Sequence, residues 1–144
     1  MSEIKSNLYT KQTAQQGGKM LPTDCGGRIR IVKDGITLAS SAGVGDTIAL
    51  IRLPKGAKLL DTSELRFADG LNSATTIKVG DSGDDDRYLA AVAPGSAAVV
   101  KQLDALKLTG GYVLPAEDVI SATVGGAAIA SGTVIGVHLE YVTD

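Results

Sequence analysis

One cysteine, one histidine, no tryptophan and only five aromatic side chains occur in the 144 residues of this chain. With Cys25 as the lone cysteine, no disulfide can close within the chain. Stability must come from the core or from contact with neighbours. With His138 as the lone histidine, acid–base and nucleophilic chemistry has few candidate groups. His138 falls in an alternating strand pattern, where a surface or interface role is the plain reading. No Gly-x-Ser-x-Gly elbow and no phosphate-binding P-loop are found. An enzyme is therefore not expected, and no cofactor is called for.

Long apolar runs are missing too. None reaches the ~18–20 residues that a membrane-spanning helix needs. The opening stretch, residues 1–20, lacks the apolar core of a secretory signal, so synthesis in the cytoplasm and no membrane partner are expected. A surplus of positive charge is also absent. Fourteen Lys and Arg stand against sixteen Asp and Glu, for a net charge of −2. Basic residues near the start are scattered, with Tyr9 the only aromatic among them, so no nucleic-acid partner is expected. Scarce aromatics also count against sugar stacking. A lectin-like binding domain stays open as an alternative, because β-sandwiches often serve as lectins.

What the chain does have is β-branched residues: 12 Val, 12 Thr and 10 Ile. Two branches at Cβ suit an extended backbone. Arg28 to Ile31 alternates polar and apolar, as a strand with one buried face would. Asp34-Gly35 reads as a turn. Thr47 to Leu53 is an apolar strand, closed by Pro54-Lys55-Gly56. Lys58 to Ala68 reads as one long strand or two short ones. Ala74 to Val79 alternates again. Arg87 to Ala93 and residues 97–108 are ambiguous between strand and helical turn. Val119 to Val124 and Thr133 to Val142 read as a closing hairpin, whose small residues make it a candidate subunit contact. Turn signals recur every ~8–12 residues. The fold class expected is all-β: an antiparallel, jelly-roll-like β-sandwich of about eight strands over residues 26–144. Its core is expected to hold Ile48, Leu50, Leu53, Leu65, Ile77, Val79, Ile120, Val124, Val137 and Leu139.

Residues 1–25 have a different character. They are polar, carry Gly17-Gly18, and show no useful periodicity, so they read as an extended N-terminal arm. Charge is lopsided along the chain. The first 33 residues hold six basic and two acidic groups, and residues 81–144 hold three basic and nine acidic ones. Such asymmetry suggests contact between the arm of one subunit and the later part of another, set against the plainer reading of chance scatter on a solvated surface. Ile4, Leu8 and Tyr9 would be buried in such a contact, with a neighbour or with a larger shell, while Lys11 and Lys19 would face acidic groups. A possible acidic contact loop is the run containing Asp81, Asp84, Asp85 and Asp86. Close carboxylates raise the question of calcium. Their spacing does not fit an EF-hand, and a solvated loop paired with Arg87 accounts for them as well.

Several segments together carry a resemblance. They are Ile51 to Ala57 (IRLPKGA), Ala74 to Asp81 (ATTIKVGD), Asp86 to Ala91 (DRYLAA), Ile120 to Gly126 and Val137 to Val142. Across residues 47–142 the chain resembles small structural proteins of tailed bacteriophages that decorate or cement the capsid. The resemblance implies a jelly-roll-like sandwich, a homotrimer or otherwise clustered, attached outside the shell of the major capsid protein, its partner in the virion. Synthesis would then be in the host cytoplasm. Similar proteins include tail, head-fibre and baseplate modules, which form the alternative.

Overall fold

The computed structural model describes residues 28–68, 71–95, 99–102 and 111–143, and for 99–102 the backbone alone. Among them there are nine strands and no helix. These are β1 (Arg28–Thr37), β2 (Thr47–Leu53), β3 (Lys58–Leu59), β4 (Glu64–Phe67), β5 (Thr76–Gly80), β6 (Leu89–Val92), β7 (Val99–Gln102), β8 (Asp118–Gly125) and β9 (Val134–Thr143). All pairings are antiparallel. One sheet runs β1-β9-β4-β7, with β3 also on β9, and the other runs β2-β8-β5-β6. The all-β antiparallel class read from the sequence is the one observed.

The topology is that of a long hairpin rolled up. Its tip is the 81–88 turn between β5 and β6. Working outward from the tip, β5 pairs β6, β4 pairs β7, β2 pairs β8, and β1 pairs β9. Rolling adds the β5–β8 and β4–β9 pairings. The links between sheets run side by side in the same order. Ala42 and Ile129 exchange backbone hydrogen bonds of 2.9 and 2.8 Å, Gly56 donates to Leu114, and Leu71 donates to Gly95. Two sheets built this way match a jelly roll.

The inward faces supply the core. Leu53, Leu65, Phe67, Ile77, Val79, Tyr88, Ile120, Val124, Ile129 and Leu139 are all buried. Strand β9 alternates from Val134 to Glu140, with Ile135, Val137 and Leu139 turned in, and the pattern breaks at Tyr141, where Val142 is the next buried residue. Of the ten core positions expected, eight are buried, while Ile48 and Leu50 are only partly covered. For Leu50 the cause is a bulge. The β2–β8 register slips between Ala49 and Ile51, so Leu50 has no partner and both Ile48 and Ile51 oppose buried residues of β8.

Three further expectations need correction. The Asp34-Gly35 turn does not form, because β1 continues through it in unbroken register with β9, Gly35 opposite Gly136. Ten paired residues outweigh one local turn preference. Second, the alternation at the start of β1 does not bury its isoleucines: Ile29 and Ile31 are 55% and 58% exposed. Third, β8 and β9 are not a hairpin, since they lie in different sheets and residues 126–133 cross between them. Tyr112 to Leu114 amounts to a single bridge, Lys58 to Val113. The ambiguous segment 58–68 resolves into β3 and β4, and segment 87–93 contains β6.

Candidate functional site

The acidic run lies at the tip of the rolled hairpin, and its four aspartates do different things. Gly80 lets the tip fold back over its own strand: a Cβ there would lie 2.1 Å from the Asp84 carbonyl oxygen. Asp81 then turns inward and is buried. Its carboxylate accepts from the Gly83 and Asp84 amides at 3.0 Å each and from the Tyr88 hydroxyl at 3.1 Å. It also accepts from Arg87 Nε at 2.7 Å. The Arg87 guanidinium in turn lies 3.8 Å over the Tyr112 ring. Burial, then the Asp81 charge, pushes the Tyr88 hydroxyl well above its usual pKa, so it stays a donor. Asp81 is therefore the node that fixes the loop.

Asp84, Asp85 and Asp86 point outward and are exposed, with carboxylate oxygens within 4.8 Å of one another. The hydrogen bond between the Asp84 and Asp86 side chains holds Asp84 below the ordinary carboxylate range and pushes Asp86 above it. Lys78 forms an ion pair with Asp85. Calcium prefers six to eight oxygens. Three exposed neighbours, one already held by a lysine, form a solvated and cation-paired loop more readily than a cage. Ser82 ties the tip to β8, its hydroxyl donating to Asp118 at 2.6 Å. That bond holds Asp118 below its usual pKa. Beside it lies an open hollow of about 270 Å³, edged by Thr47, Asp85, Ser121 and Thr123.

The second surface is the outward face of the β1-β9-β4 sheet. Register puts Lys33, His138 and Glu64 in one row across three strands. His138 Nε2 is 3.0 Å from Glu140 Oε1, and the Thr62 hydroxyl also bonds Glu140. Those two contacts, Thr62 first, lower the Glu140 pKa. His138 is thus partly exposed, as its strand pattern implied, and the fold sets it against a carboxylate. The acidic tip belongs to the other sheet, where it joins β5 to β6.

Sequence reasoning singled out Asp81 and its neighbours and the Arg87 partner. It did not single out Tyr88, Tyr112, Ser82 or Asp118, and only the chain's return at β8 brings Asp118 to the tip. The arm residues Ile4, Leu8, Tyr9, Lys11 and Lys19 lie outside the described residues.

No protein-family model matches the chain, and no curated protein does. Solved structures do match. A chain from the capsid of Ralstonia phage GP4 superposes with a TM-score of 0.66 at 25% identity, over 90% of this chain and 94% of that one. A chain from the cyanophage Pam1 capsid asymmetric unit superposes with a TM-score of 0.63 at 19% identity, over the full length of both. The fold built by this sequence is thus one also found in chains of the Ralstonia phage GP4 and cyanophage Pam1 capsids.

Proposed function

We propose that the chain is a non-enzymatic structural protein of a phage virion, and that within the virion it decorates and cements the head. The observation that supports this most is the likeness to a chain of the Ralstonia phage GP4 capsid, which extends over nearly all of both chains. A match over 90% of this chain and 94% of that one fits a fold that serves assembly as a unit. The geometry agrees: both prominent surfaces are shallow and charged, and the polar groups on them hold each other. In this reading the chain sits outside the shell, binds the major capsid protein, and clusters as a homotrimer. Residues 1–25 serve as the attachment arm.

Reconstitution tests it. Purified chain is mixed with heads assembled without it and the mixture is sedimented. Co-sedimentation, with heads more resistant to heat than bare ones, is the expected outcome. Heads that stay bare refute the reading. Deleting residues 1–20 is expected to weaken attachment while leaving the melting of the β domain nearly unchanged. A truncated chain that decorates as tightly as the full one removes the arm from the mechanism.

A further inference from the structure

We infer that β1 is a two-fold contact surface that takes β1 of a second copy of this chain, joining their first sheets edge to edge. This does not depend on the virion reading, and it differs from closure of a trimer, which uses unlike surfaces on each subunit. Strand edges present unpaired amides and carbonyls and are ordinarily blunted by shortness, bulges or charge of one sign. Among the described residues the other sheet edges follow that rule. Strands β6 and β7 have four residues each, and β2 carries the bulge at Leu50. Strand β1 is ten residues long, has unbroken register, and leaves Ile29 and Ile31 more than half exposed on its outward face.

Its charges fit a copy of itself. An antiparallel pair about a two-fold axis must bring residues of equal parity together, so that the faces of the two sheets match. Centring the axis on Lys33 would oppose two lysines. Centring it on Val32 sets Arg30 of each copy opposite Asp34 of the other, Ile31 against the Lys33 stem, and Arg28 opposite Ile36. The two Ile31 side chains become diagonal neighbours across the axis, within reach of each other. No like charges meet, and nearly the whole strand is used. Centring on Ile31 also avoids like charges but shortens the overlap. Arg30 has no ion-pair partner within the described residues, so the self-pair uses a charge that those residues leave uncommitted.

Cysteine scanning and a charge swap test it on the full chain. In a Cys25→Ser background, single cysteines are placed from position 30 to position 34 and oxidised mildly. The covalent dimer is expected to peak at Val32→Cys, because only the residue on the axis faces itself. Sedimentation velocity then compares Arg30→Glu and Asp34→Arg with the double variant. Each single change should weaken self-association about tenfold, and the double should restore it, since the pair is rebuilt with its signs exchanged. Both positions are exposed, so folding is not at stake, and far-UV circular dichroism verifies this. A cross-linking maximum elsewhere, no cross-link at tens of micromolar, or a double variant no better than the singles overturns the proposal.

Discussion

Removing the charge of Asp81 should cost far more than removing any other aspartate of the tip. In Asp81→Asn the shape is kept, and the amide oxygen can still accept from Gly83 and Asp84. The amide nitrogen, however, is a donor. It faces Arg87 Nε, which lies 2.7 Å from Oδ2 and can only donate, whereas the Tyr88 hydroxyl at 3.1 Å can turn to accept. Breaking a buried pair by removing one partner costs ~3–5 kcal/mol. Arg87 keeps about a fifth of its side chain in solvent against 3% for Asp81, so the lower end applies, ~3 kcal/mol. At ~4 °C per kcal/mol for a domain of this size, Tm should fall by ~12 °C. The control is Tyr88→Phe, which deletes one hydroxyl and should cost only ~1 kcal/mol. Urea unfolding followed by circular dichroism gives both numbers. An Asp81→Asn variant within ~0.5 kcal/mol of the parent would refute the idea that Asp81 holds the tip.

The bulge makes Leu50→Ala mild, below ~1.5 kcal/mol, whereas Leu139→Ala in the core should cost ~2–5 kcal/mol; equal losses in urea would contradict the register of β2. Gly126 sits at φ 71°, and a Cβ there would lie 1.9 Å from the Ala74 carbonyl oxygen, so Gly126→Ala should lower stability by at least ~3 kcal/mol. Gly132, at φ 80° with open space around it, should lose only ~1 kcal/mol on the same change, and thermal melts of the two variants check the contrast. The Thr75 hydroxyl is buried without a hydrogen-bond partner, so Thr75→Val should stabilise by ~1 kcal/mol, which differential scanning calorimetry would detect. Because the Glu140 pKa is depressed in the fold, its contribution is full above the unfolded-state value of ~4.3 and is lost as pH falls through the folded value. Glu140→Gln should therefore flatten the decline in Tm below pH ~4, and an unchanged slope there would assign the acid sensitivity to other groups.

Strand β9 was legible because every second residue from Ile135 to Leu139 faces one core, and periodicity records that directly. The Arg87 pairing was legible because a cation follows four aspartates. What escaped depends on partners distant in sequence. Asp34-Gly35 has the local chemistry of a turn, and nothing nearby announces that Gly136 will be opposite. The bulge at Leu50 leaves no mark in a run of apolar residues. Strands β8 and β9 looked like a hairpin because adjacency in sequence cannot say which sheet a strand joins. Four aspartates within six residues look alike until the fold turns one inward: Asp81 differs from Asp84 in its position relative to Tyr88 and Arg87.

Strand β9 has neighbours on both edges, β1 along its whole length and β3 with β4 along the other side. During synthesis β1 leaves the ribosome more than a hundred residues before this partner does. Until β9 emerges, β1, β3 and β4 have no common strand to join, and the first sheet has no middle. Folding must then wait for the polypeptide to be made through Thr143, and contacts of such long separation form slowly. A nascent chain interrupted before that point would present a lone β1 with Ile29 and Ile31 uncovered, a template for aggregation rather than assembly. Synthesis errors would thus be sorted out before any subunit could be built into a larger structure.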